Sequence, residues 1–101
     1  AGPVFKSLKV KGNKLIISFK NAEAGLKSGG EELQEFAVAG ADAKFVWAKA
    51  RIEGNKVIVS ALQVQNPVYV RYAWADNPHR ANLRNTEGLP AAPFRATIKK
   101  K

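Results

Sequence analysis

The chain contains no cysteine and no methionine, and its 101 residues include a single histidine. Without cysteine there is no disulfide, no thiol nucleophile and no thiolate metal site. The lone histidine, His79, sits between Pro78 and Arg80 in a proline-rich stretch. A general base needs an orienting partner and a group to deprotonate, and no Gly-x-Ser-x-Gly segment, histidine pair or phosphate-cradling glycine loop supplies one. Asp76 and Glu87 fall in the same irregular region, where their spacing carries no geometric information. At this level the chain reads as no enzyme. Long apolar runs are also missing, so no helix of about 20 apolar residues is available to cross a bilayer. No charged-then-apolar leader opens the sequence, and Ala1-Gly2-Pro3 reads as the start of a segment cut from a longer chain.

Acidic residues are few: 8 against 17 lysines and arginines, for a net charge of +9. Such chains often bind nucleic acid, anionic polysaccharide or membrane surfaces. Here lysine dominates and is dispersed along the sequence, with Lys6, Lys9, Lys11 and Lys14 early and Lys99, Lys100 and Lys101 at the end. The lysines do not cluster beside the aromatics, and no RNA-binding aromatic signature is present. We therefore read a solvated basic surface, with no specific nucleic-acid partner and no membrane partner. Binding of an acidic polymer through the summed charge is the weaker alternative. No cofactor is expected, although a structural calcium bound by backbone carbonyls and scattered acids would leave no mark in the sequence.

What is abundant is short alternating apolar stretches broken by turn residues. Val4 to Val10 alternates imperfectly, Lys11-Gly12-Asn13-Lys14 supplies a turn, and Leu15 to Phe19 follows as a second strand. The phrase recurs: Ile52-Glu53-Gly54-Asn55-Lys56-Val57-Ile58-Val59-Ser60 echoes Val10-Lys11-Gly12-Asn13-Lys14-Leu15-Ile16-Ile17-Ser18. The echo predicts two hairpins of like turn chemistry, with Gly and Asn both at positive φ. Glu31 to Ala39 reads as a strand, though its Glu and Gln also suit a helix. Lys44 to Ile52 is one strand, Lys56 to Ser60 another, Pro67 to Trp74 the strongest, and Phe94 to Ile98 the last. Many short strands with turns between them predict an all-β chain, an antiparallel β-sandwich of immunoglobulin-like or jelly-roll type, with residues 1–101 forming one module.

Side chains alternate along a strand. Val68, Val70, Tyr72 and Trp74 therefore take the core register, leaving Tyr69 and Arg71 outside. In the 44–52 strand, Phe45, Trp47, Lys49 and Arg51 take the outer face. If the two strands are neighbours, Trp47 and Tyr69 with Arg51 and Arg71 form a flat platform. A sugar ring can lie on an aromatic ring there while Arg51, Arg71 and Asn77 bind its hydroxyls. Trp47 is otherwise covered by a loop, because Trp is usually largely buried, and the two readings weigh equally. Trp74 either packs at the end of the core or joins the ligand site.

Several blocks resemble a known family. Phe36 to Val46, Ala48 to Asn55, Asn66 to Pro78, Asn82-Leu83 and Glu87 to Arg95 resemble the C-terminal region of bacterial sialate O-acetylesterases. That resemblance implies a β-sandwich accessory segment following a serine-esterase catalytic domain, whose catalytic Ser and His lie outside this chain. It departs from the pattern at Arg84, where an aromatic is expected, and at His79-Arg80. The build is also similar to that of carbohydrate-binding modules. The expectation is a non-catalytic carbohydrate-binding module recognising a polysaccharide such as a β-glucan or similar plant glycan. Its site would use Trp47, Tyr69, Trp74, Arg51, Arg71 and Asn77. The alternative is a ligand-free accessory domain docking on the esterase through the Trp74-to-Phe94 segment. Either way the expected setting is a monomeric part of an extracellular or periplasmic bacterial enzyme.

Overall fold

In the computed structural model, which describes residues 1–74 and 79–98, ten strands form antiparallel sheets around one core, and no helix occurs among these residues. The strands are β1 (Val4–Lys11), β2 (Lys14–Lys20), β3 (Leu26–Lys27), β4 (Phe36–Ala39), β5 (Val46–Trp47), β6 (Lys49–Glu53), β7 (Lys56–Ser60), β8 (Tyr69–Tyr72), β9 (Arg84–Asn85) and β10 (Phe94–Thr97). The first sheet has the order β1-β2-β7-β6, the second β10-β8-β4-β5, and β3 pairs with β9 in a small ladder. This is the expected all-β antiparallel sandwich.

The first sheet is two hairpins laid side by side. In each, two residues connect the strands: Gly12-Asn13 between Lys11 and Lys14, and Gly54-Asn55 between Glu53 and Lys56. Gly12 and Gly54 lie at φ 62 and 64, whereas neither asparagine takes positive φ. Glycine alone at the first central position is the pattern of a type II′ turn, whose twist suits a hairpin. The expectation of positive φ at both residues is corrected accordingly. The hairpins meet through β2 and β7, where Leu15 pairs with Val59, Ile16 with Ile58 and Ile17 with Val57. The echoed phrase is thus related by a local two-fold centred on Ile16 and Ile58: those two pair directly, and Leu15 faces Val59 as its match Val57 faces Ile17.

Burial follows alternation. Leu15, Ile17, Phe19, Val57 and Val59 of the first sheet pack against Phe36, Val38, Val70, Tyr72 and Phe94 of the second. The imperfect alternation of β1 has a cause: the register shifts between Phe5 and Ser7, so Lys6 is extra. That bulge lets both Phe5 and Leu8 lean on the core. Phe94 gathers the aromatics, with ring centroids 5.1 Å from Phe5, 5.8 Å from Phe19 and 6.0 Å from Tyr72.

Two expectations need correction here. Lys44 to Ile52 is not one strand. The chain changes sheets at Ala48, whose N–H donates to the Phe36 carbonyl at 2.9 Å, so β5 belongs to the second sheet and β6 to the first. The strand expected from Glu31 also starts only at Phe36, because Glu35 takes φ 72.

Residues 82–85, irregular in sequence, are tied down by asparagines. Asn82 Oδ1 accepts from the Gln34 N–H at 2.9 Å, and its Nδ2 donates to the Glu32 carbonyl at 2.9 Å. Asn85 is buried; its Oδ1 accepts from the N–H groups of Glu87 and Leu89, and its Nδ2 donates to the carbonyls of Ala1 and Asn21. Between them, the Leu83 N–H donates to the Tyr72 hydroxyl at 2.9 Å. The Asn82-Leu83-Arg84-Asn85 segment is therefore scaffold, and Arg84, the odd residue of its pattern, points to solvent and donates to the Gly88 carbonyl.

Candidate functional site

The outer face of the second sheet carries one row of directly opposed residues: Trp47, Ala37, Arg71 and Arg95. Opposed residues of an antiparallel pair share a face, so Ala37 is a low floor between a tryptophan and a guanidinium. Ala37 and Ala39 are buried although they face away from the core, because the flanking long side chains overhang them. A turn folds Phe45 over this row. The Ala43 N–H donates to the Gly40 carbonyl, Ala43 takes φ 59, and Asp42 Oδ1 accepts from the Lys44 N–H.

Phe45 then organises the basic side. The Arg71 guanidinium carbon lies 3.7 Å from its ring centroid, a close cation–π contact, and that of Arg95 lies 5.6 Å away. Arg95 is also 5.7 Å from the Tyr69 ring, and the Phe45 and Tyr69 centroids are 6.2 Å apart. Two arginines directly opposite each other would repel; shared aromatic faces offset this and hold both guanidiniums in place.

On the other side the wall is tryptophan. Trp47 is 67% exposed and Trp74 52% exposed, and with Glu35, Arg71 and Phe45 they line a hollow of about 350 Å³ over Ala37. That size is at the lower end for small-ligand sites, and the mix of flat apolar walls with a few charged groups is typical of them. A second hollow, of about 640 Å³, shares Trp47 as a wall and extends to Lys49, Ser60 and Leu62.

The expected site residues are distributed unevenly. Trp47 and Arg71 line the same hollow, but across Ala37 of β4, so their strands are not the neighbours that the expected platform required. Tyr69 faces outward but is half-buried behind Phe45. Trp74 does not take the core register: Ala73, at φ 55, breaks the alternation and sends the indole to the outer face. Arg51 is separated from the others, because the sheet change at Ala48 puts it on the far face of the first sheet, where it pairs with Glu53. Asn77 lies outside the described residues. Glu35, Phe45 and Arg95 were not singled out, and only Phe45 carried a signal, its outward register. Among the described residues no three acids or histidines gather to hold a metal ion.

No family model matches the chain, and no curated protein does. A solved structure does match. The chain is 42% identical to XAC1771, a carbohydrate acetylesterase from Xanthomonas citri, with a TM-score of 0.90. The match covers 98% of this chain and 23% of that enzyme, so the chain spans less than a quarter of its length. This overturns the expectation that the chain is no enzyme: over nearly all its residues it matches part of one. The coarse resemblance, to an esterase acting on carbohydrate, stands; XAC1771 is described no more narrowly than as a carbohydrate acetylesterase.

Proposed function

We propose that this chain is the β-sandwich of a carbohydrate acetylesterase and that its aromatic hollow holds the polysaccharide being deacetylated. The observation that carries this reading is the pair of exposed indoles, Trp47 and Trp74, walling one hollow with Arg71 and Glu35. Apolar rings left in water are costly unless they have an occupant. A sugar presents C–H faces to such rings and hydroxyls to a guanidinium or carboxylate at their edge. The relative's action on carbohydrate supports the ligand class. In this reading residues 1–101 are one module of a longer secreted or periplasmic enzyme, acting as a monomer on a glucan-like plant glycan or, following the family resemblance, on acetylated sialosides. Trp47, Trp74 and Arg71 grip the sugar, with Tyr69 bracing Phe45.

The test compares Trp47→Ala with the parent by affinity electrophoresis through soluble glucan, xylan and acidic glycans. Binding falls at least tenfold, and stability changes by less than about 1 kcal/mol because the ring is exposed. Free migration of the parent in every glycan would end this reading.

A second reading has its own observation. Leu62 is 88% exposed and lines the hollow it shares with Trp47, an apolar pair suited to docking against the rest of an esterase. The segment from Trp74 to Phe94 suits docking less well: Leu83, Ala91 and Phe94 are buried, and among its described residues after Trp74 only Leu89 is a large exposed apolar side chain. Under this reading Trp47→Ala lowers activity on a small acetyl ester as much as on polymer. Under the first, only polymer activity falls.

A further inference from the structure

The dispersed lysines converge in three dimensions. Leu15, Ile17, Val57 and Val59 point inward with no exposure, so the alternate residues of β2 and β7 face out. The register then fills the outer face of the first sheet. Lys9, Ile16, Ile58 and Arg51 form one row of directly opposed residues, and Lys11 lies opposite Lys14. Lys49 pairs with Ser60, and Lys56 sits between Ser18 and Glu53. Lys20 ends β2 on the same face. Glu53 is the only acidic residue in these four strands, and it is tied to Arg51 by a 2.6 Å ion pair. Seven cationic side chains thus stand against one carboxylate that is already paired.

The face has relief as well as charge. A hollow of about 320 Å³ opens among Lys11, Asn13, Lys14, Arg51 and the Arg51-paired Glu53, above Ile16 and Ile58. Ile58 is only 9% exposed although it faces away from the core, so longer flanking side chains cover it, as the aliphatic stems of cations can. Edge lysines commonly guard a sheet against pairing with another chain. That explains Lys9, Lys11 and Lys49 on β1 and β6. It does not explain Lys14, Lys20 and Lys56, which stand on the central strands β2 and β7. A solvated face normally mixes both signs, and Lys11 opposite Lys14 is a destabilising pairing when nothing offsets it.

We infer that the outer face of the first sheet is a second binding surface, which takes a carboxylate-bearing polysaccharide across Lys9, Lys11, Lys14 and Lys56. It lies on the side of the sandwich away from the aromatic hollow and does not depend on that hollow's ligand. A polyuronate fits better than a single anion, because the cations spread over four strands with no buried polar cradle.

The probe is polygalacturonate, titrated calorimetrically in about 50 mM salt. Binding is expected, and it weakens at least tenfold by about 300 mM salt, as screening shortens the reach of exposed charges. The variant K9Q/K14Q/K56Q binds at least tenfold more weakly, while its affinity for neutral glycan is unchanged. The control K27Q/K44Q/R84Q removes the same charge elsewhere and stays within about twofold of the parent. An equal loss in both variants would reduce the effect to net charge and overturn the site. So would absence of binding, or tighter binding to duplex DNA or phosphatidylserine vesicles at the same salt.

Discussion

Glu35 and Ala73 face each other at the end of the β4–β8 ladder, both in the left-handed conformation (φ 72 and 55), and the Ala73 N–H donates to the Glu35 carbonyl at 3.1 Å. One residue precedes β4 and the other follows β8, so both strands leave the sheet by the same unfavourable twist. The twist puts Trp74 beside Trp47 instead of in the core and makes Glu35 part of the same hollow. A left-handed residue other than glycine costs roughly 1–2 kcal/mol. Such strain tends to persist where it shapes a functional site.

Ala73 is therefore a sensitive position. Ala73→Gly removes the strain but adds about 0.5–1 kcal/mol of unfolded-state entropy and loses a buried methyl worth about 0.8 kcal/mol, so stability stays within about 1 kcal/mol of the parent. Ala73→Pro cannot adopt φ 55 and loses the donor to Glu35, so about 3 kcal/mol or more is lost. Urea denaturation of the two variants checks the pair. A stabilised proline variant would show that the ladder end is not built as described.

Asn85 should far outrank Arg84, the residue beside it. Its side chain is 3% exposed and makes four hydrogen bonds that join the N-terminus, the Asn21 loop and the 85–89 turn. Asn85→Ala leaves two backbone N–H groups and two carbonyls short of partners at about 1 kcal/mol or more each, for a loss of about 3–4 kcal/mol. Arg84→Ala, at an exposed side chain with one bond, stays within about 0.5 kcal/mol. Urea midpoints rank the two directly, and equal values would refute the scaffold role.

The contrast with the sequence lies in single residues. The hairpins were legible because Gly-Asn between alternating stretches is local chemistry; that they pair about a two-fold was not, since it depends on strand order. Three features were not, since each is one residue breaking a period: Lys6 as a bulge, Ala48 as a change of sheet, Ala73 as a left-handed turn. Alanine and lysine carry no propensity that announces these roles; tertiary packing imposes them. The consequences for the site are specific. Ala48 separates Arg51 from Trp47, and Ala73 converts Trp74 from core to wall. Trp47 itself was legible as outward but not as uncovered, because exposure depends on where a distant loop runs. Glu35 gave no signal at all. The basic face stayed hidden because its lysines meet only through strand register.

Alkaline pH supplies the last expectation. Burial raises the Tyr72 phenol above its ordinary value of about 10, outweighing the hydrogen bond from Leu83 and the nearby Arg84 charge, which lower it. In the unfolded chain the phenol ionises first, so above about pH 10 the folded state holds more protons than the unfolded one. Stability is then full below about pH 10 and falls as pH rises from there through the folded-state value. Tyr72→Phe isolates the phenol. It loses about 1–2 kcal/mol at pH 7 with the bond to Leu83, and its urea midpoint declines less than the parent's between about pH 9.5 and 11. Parallel curves for the two proteins would mean that the Tyr72 hydroxyl does not govern the alkaline limb.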